Sequence, residues 1–337
     1  MARFRIGTAF LGRYVLLGPI GHGGVSVVYQ ALDTVRGRQV AIKTLDPTLA
    51  GDPHAQLRIR REALITDRVR HPSVPRIFDY GDAPLPDGTV VPYVVLELLV
   101  GSVLTKTLAE GALPWRQAVR VAASVADVLV AAHRRGVVHR DLTPANIMLT
   151  ADGAKIIDFG VAVTVNAPDP GQGPFIINPP AQLTNDFAGP GEPSDDVYAL
   201  GVLLYQMLTG RSPYPGAEGP PPIASATMPW VAPTPVLTVP GLPKEIAEIV
   251  RSFMTKRPAD RPDAASAALA LWSLIVPAPG EAIAATSSLP AAVSGDEPTV
   301  RLLSKPNQTP GAPRSRRRRR PAWSDSTTGQ NNVVVLS

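Results

Sequence analysis

Between the apolar pairs Val137-Val138 and Ile147-Met148 the chain sets four chemically useful side chains, His139, Arg140, Asp141 and Asn146, and Asp158-Phe159-Gly160 follows. Asp141 can accept a proton from a hydroxyl. Asn146 and Asp158 offer hard oxygens of the kind that suit magnesium. The apolar pairs predict buried strand ends that hold the intervening loop rigid. Upstream, Lys43 ends the apolar run Val40-Ala41-Ile42. A lysine there is costly to bury unpaired, so it calls for an anion nearby. Glu62 is its natural counter-charge, because the turn before it holds only Arg58, Arg60 and Arg61 among charged residues. A lysine snorkelling from an edge strand and a solvated helix-face glutamate are the plainer alternatives. Earlier still, Gly21-His22-Gly23-Gly24-Val25-Ser26 interrupts two strand-like runs. Glycines there let backbone N–H groups approach phosphate oxygens, and an ordinary hairpin is the plainer reading.

Several elements must position these groups. Residues 14–20, 27–32, 39–45, 77–81 and 92–97 read as strands, and 54–70 alternates charged and apolar residues at helical spacing. Together they predict a small antiparallel sheet of about five strands with one helix, preceded by an arm over 1–13. A long amphipathic helix starts at Pro114 and runs to Arg135-Gly136, delivering the loop at 137–146. A short strand over 154–157 leads into Asp158. Ser194, followed by Asp195 and Asp196, predicts a capped helix continuing to Leu208. Residues 244–254 form a further helix and a last one ends near Val276. The stretch 161–182 is rich in Pro, Gly and Asn without periodicity, and 213–243 is too proline-heavy for a long helix.

The 337 residues carry a formal charge of +5 and no cysteine, which excludes a disulfide framework and a thiolate zinc site and fits a reducing cytoplasm. No run of about 18 apolar residues predicts a membrane span. From Pro277 onward eight basic residues face four acidic ones, so most of the excess charge sits there. This stretch, 277–337, has the Pro/Ala/Ser/Thr composition of a disordered tail. Its basic run, 314–320, suits anionic lipid, nucleic acid or an acidic partner, and equally a solvated linker. Thr299 within Asp296-Glu-Pro-Thr-Val300 suits phosphorylation and reading by a phosphothreonine-binding partner, or is an ordinary solvated threonine.

The loop at 137–146, the triplet Asp158-Phe159-Gly160, Val40-Ala41-Ile42-Lys43, the nineteen-residue step to Glu62 and the glycine turn, all in this order, resemble the bacterial eukaryotic-like (Hanks-type) serine/threonine protein kinases. The resemblance covers residues 14–276. It implies an α+β bilobal fold, with an N-lobe at 14–99 and a mainly helical C-lobe at 100–276. ATP and magnesium, or manganese in its place, are the implied cofactors, and protein hydroxyls the acceptors. It assigns Asp141 to the acceptor hydroxyl, Lys43 with Glu62 to the phosphates, and Asn146 and Asp158 to the metal. Gly21, His22, Gly23 and Gly24 would cover the phosphates. Leu96 takes the gatekeeper position, the backbone of Glu97 to Leu99 faces adenine, and Val28, Ala41 and Met148 sandwich it. Asp196 matches the family's buried aspartate behind the catalytic loop, and Pro144 favours serine/threonine acceptors.

Three departures gather in one region. Thr143 stands where such kinases place a phosphate-contacting lysine, keeping a hydroxyl for Asp141 or substrate but no charge. Pro174 replaces that lysine's threonine partner. Ala181 replaces the glutamate that usually pairs with Arg261, so Arg261 must turn to Asp195, another acid or water. Between Asp158 and Gln182 the only hydroxyl side chain is Thr164, which argues against loop phosphorylation and leaves Asp169 as a fixed negative charge. These departures keep open a nucleotide-binding pseudokinase, a regulatory scaffold without transfer.

Overall fold

A computed structural model describes residues 4–85, 87–159, 163–164, 192–214 and 233–275. The first part comprises β1 (Ala9–Phe10), β2 (Tyr14–His22), β3 (Ser26–Asp33), β4 (Arg38–Leu45), α1 (Pro53–Val69), β5 (Ile77–Pro84) and β6 (Val90–Glu97). These strands form one antiparallel sheet in the order β1-β2-β3-β4-β6-β5. Alternation along each strand sends neighbouring residues to opposite faces. Val40 and Ile42 thus pack with Tyr14, Tyr29 and Val95 on one face. Ala41 and Leu45 pack with Val28, Leu96, Ile59 and Ala63 on the other, the face covered by α1. Lys43 shares the parity of Ala41 and Leu45, so strand geometry alone turns it toward the helix. Asp52 starts that helix by accepting a hydrogen bond from His54 N–H at 2.9 Å, with Pro53 in the first turn.

The second part begins with β7 (Gly101–Val103), α2 (Leu104–Ala109) and α3 (Trp115–His133). β8 (Val137–Val138), β9 (Ile147–Thr150), β10 (Gly153–Ile156) and β11 (Val163–Thr164) follow, then α4 (Pro193–Thr209), α5 (Lys244–Phe253) and α6 (Ala264–Ser273). Small residues Ala118, Ala122 and Ala126 are wholly buried on α3, and its core is shared with Leu200, Leu204, Ala267 and Leu271 of α4 and α6. Gly201 lets α4 approach the end of α5, since a Cβ there would come within 2.8 Å of Phe253 and Met254. β9 pairs with both β10 and β7, and β8 with β11, so both ends of the loop at 139–146 are tied into strands. No described helix is long and apolar enough to cross a membrane.

The α+β architecture matches the expectation, with three corrections. The sheet has six strands, because residues of the anticipated arm form β1 against β2, and Phe4 packs edge-on to Phe10 and Tyr29. The short β7 and α2 had no periodicity long enough to read. The helix expected to open at Ser194 starts one residue earlier at Pro193, with Glu192 as its cap. Glu192 and Asp195 exchange side-chain-to-backbone bonds in a capping box, which displaces the serine from that role. The activation-segment readings, including Asp169, Pro174 and Ala181, and all readings of the tail lie outside the described residues.

Candidate active site

Lys43 and Glu62 meet where strand parity and helix position bring them. Lys43 Nζ lies 2.6 Å from Glu62 Oε1 and 3.8 Å from Asp158 Oδ2. Burial works against the ammonium charge, but Glu62 and then Asp158 outweigh it, and the lysine pKa ends above its ordinary value. The Glu62 carboxyl is itself pushed up by burial, with Lys43 pulling it back. A small cavity of about 70 Å³ opens beside this pair, lined by Gly23, Gly24, Lys43, Arg58, Glu62 and Asp158 among others. Gly23 N–H donates to Ser26 O at 2.7 Å and closes the hairpin above it. Gly21 and His22 belong to β2 and do not line this cavity.

The loop between β8 and β9 is held from below by Asp196 on α4. Its carboxylate accepts from His139 N–H at 2.8 Å and Arg140 N–H at 2.9 Å, and His133 Nε2 lies 2.8 Å away. Receiving two successive N–H groups accompanies a left-handed backbone at Arg140, φ 66°. Phe159 packs against the buried His139 ring, centroids 4.8 Å apart. Asn146 then orients Asp141: its Nδ2 donates to Asp141 O at 2.8 Å and to Asp141 Oδ2 at 2.9 Å. Ile157 N–H donates to Asn146 O at 3.0 Å, so Asn146 is tied to the residue next to Asp158.

With its amide nitrogen turned to Asp141, Asn146 has its side-chain oxygen left for a cation. Among the described residues no three His, Cys, Asp or Glu side chains converge on a metal position. Asn146 and Asp158 carry oxygens of the hard kind that magnesium prefers. Thr143 is extended, φ −129°, as the residue before a proline prefers. Its hydroxyl makes no hydrogen bond with another described residue, so the anticipated bond to Asp141 is not formed.

Val28, Ala41, Leu96, Leu99 and Met148 share one apolar cluster with Ile157. All five are buried. Glu97 differs from expectation in part. Its N–H donates to Arg76 O at 2.8 Å, and its carboxylate accepts from Lys155 Nζ at 2.8 Å and Arg76 N–H at 3.1 Å. The side chain thus faces away from the cleft, and any adenine contact falls to the remaining backbone groups. Arg261 finds Asp195 at 3.3 Å and the carbonyls of Ser194, Thr255 and Lys256 at 2.9, 2.8 and 3.2 Å. Two polar residues of the cavity wall went unassigned from sequence: Ser26, noted only as a missing glycine, and Arg58, one turn before Glu62.

The family description "protein kinase domain" matches residues 14–273. The chain belongs to the protein kinase family. It is 38% identical over 267 residues to a probable serine/threonine-protein kinase PknB of Corynebacterium glutamicum, covering 75% of this chain and 41% of that protein. A probable serine/threonine-protein kinase of Streptomyces coelicolor is 35% identical, over 87% of this chain and 45% of its own length. Serine/threonine-protein kinase PknA of Mycobacterium tuberculosis is 34% identical, over 76% and 60%. The chain spans about half the length of these curated relatives. Protein kinases as a family use ATP and magnesium and act on protein hydroxyls.

Proposed function

We propose that this chain is an active serine/threonine protein kinase that moves the γ-phosphoryl group of ATP to a protein hydroxyl. The observation that carries the reading is the Asn146 amide on the Asp141 carboxylate at 2.9 Å, beside a closed Lys43–Glu62 pair at 2.6 Å. Asp141, held in one orientation, takes the acceptor's proton as its oxygen bonds to phosphorus and the bond to the β-phosphate oxygen breaks. Lys43, fixed by Glu62, holds the phosphates, and the glycine turn covers them with N–H groups. Asn146 and Asp158 would hold magnesium, which when bound neutralises phosphate charge. Val28, Ala41 and Met148 sandwich adenine, and Pro144 favours serine/threonine acceptors. Thr143 supplies no charge, so transfer is slower than in a kinase with lysine there.

The two lobes at 14–99 and 100–276 and a separate tail at 277–337 belong to the same proposal. So do a phosphothreonine-binding partner at Thr299, an anionic contact for 314–320, and action in the cytoplasm. The test is intact-mass spectrometry after incubation with magnesium-ATP and a basic protein acceptor. Added phosphate that disappears in both Asp141→Asn and Lys43→Met supports the kinase. No transfer, with magnesium-ATP still raising the melting temperature, replaces it with the pseudokinase.

A further inference from the structure

Arg58 precedes Glu62 by four residues on α1, which puts both side chains on one helix face. That face looks into the cavity below the glycine turn, where Arg58 joins Gly23, Gly24, Lys43, Glu62 and Asp158 in the lining. The lining carries two cations and two carboxylates, but they are not evenly matched. Glu62 and Asp158 both approach Lys43, at 2.6 and 3.8 Å. Arg58 makes no ion pair or hydrogen bond with another described residue. Its neighbour Arg60, by contrast, turns to β5 and is bound by Asp82 at 2.8 Å.

The catalytic loop is itself short of a cation. Two residues beyond Asp141 stands Thr143, neutral. A cleft that must hold a triphosphate therefore has one cation closely held between two carboxylates and a second, Arg58, which acts on Glu62 by charge without a direct ion pair among the described residues. A guanidinium also suits the task, because its forked N–H groups match phosphate oxygens in pairs.

We propose that Arg58 binds the terminal phosphoryl group of ATP, supplying from helix α1 the positive charge that the catalytic loop lacks at Thr143. This rests on the nucleotide-binding part of the kinase reading. Arg58 is exposed at the rim of the cavity, so its contribution is partly screened and falls with added salt.

The test is calorimetric titration, in magnesium, of a non-hydrolysable ATP analogue and of ADP into wild type, Arg58→Gln, Arg58→Lys and Arg60→Gln. Arg58→Gln is expected to weaken the analogue about tenfold, the size of one charge-assisted hydrogen bond, and to leave ADP almost unchanged. Arg58→Lys keeps most of the preference for the triphosphate, and Arg60→Gln, which removes a charge outside the cavity, changes neither affinity. Equal weakening of both nucleotides, or none, in Arg58→Gln overturns the inference while leaving nucleotide binding intact. A wild type that binds neither nucleotide sinks the nucleotide-binding reading itself, and this inference with it.

Discussion

Replacing Asp196 with alanine should loosen the catalytic loop before it touches any reacting atom. The carboxylate is 1% exposed and accepts from His139 N–H at 2.8 Å and Arg140 N–H at 2.9 Å. Alanine leaves both donors without a partner, at about 1–3 kcal/mol each. The left-handed backbone at Arg140, φ 66°, stores roughly another 1–2 kcal/mol that those bonds now hold in place. Removing a buried charge returns part of this, so the expected net loss is about 3 kcal/mol, a large share of a typical stability of about 5–15 kcal/mol. Asparagine keeps one acceptor but points an amide N–H at a donor, and should lose about 2 kcal/mol. His133→Ala leaves both loop bonds intact and should cost about 1 kcal/mol. The assay is urea unfolding together with amide hydrogen exchange at residues 139 and 140. Unchanged protection at those two amides in Asp196→Ala, or a stability loss under about 1 kcal/mol, would refute the claim that Asp196 holds the loop.

Three further outcomes follow from the geometry. Thr143→Lys restores a cation beside Asp141 and should raise phosphoryl transfer up to about a hundredfold, with the larger gain in an Arg58→Gln background; steady-state kinetics of the four variants measure this. Gly101→Ala drives a Cβ into the carbonyl of Leu149 on the paired strand. It should destabilise by about 1–3 kcal/mol in urea unfolding, whereas Gly18→Ala, which meets open space, should stay within about 0.5 kcal/mol. Asp33 is held down at about 2 by the Arg13 guanidinium, against its burial, with help from the Arg36 and Val35 N–H groups. Its folded value lies below the ordinary 3.8, so its stabilisation is complete above that pH and disappears as pH falls toward 2. Urea midpoints across this range should fall less steeply in Asp33→Asn than in wild type.

Much of the site is legible in the sequence, and the reason is local. Strand parity alone separates Val40 and Ile42 from Ala41, Lys43 and Leu45, so a lysine on the helix-facing side had to find an acid there. Glu62 was the candidate because its own turn offered only arginines. Arg261, without its usual glutamate, was expected to find Asp195, another acid or water, and it meets Asp195; the place of Asp196 behind the loop came from the family resemblance and not from its own segment. What could not be read depended on competition between partners. Thr143 was offered Asp141 as a partner, yet Asn146 takes that carboxylate from a rigid turn, while Pro144 holds Thr143 extended. Glu97 was placed at an adenine-binding edge by its backbone alone, and nothing local says that Lys155, fifty-eight residues on, takes up its side chain.

The sequence by itself determined which residues are apolar, charged or turn-forming, and through their periods which face of each element they share. That is enough for the sheet, the major helices, the Lys43–Glu62 pair and the loop bearing Asp141 and Asn146. Only the tertiary structure decided that Phe4 and β1 close the edge of the sheet, that Glu192 and not Ser194 caps α4, and that Arg58 stands at the rim of the cavity while Arg60 turns to Asp82. The physical reason is that periodicity and charge are properties of a segment and survive its isolation. The choice of one hydrogen-bond or ion partner over another within a few ångströms depends on where distant segments are packed, and no local pattern encodes it.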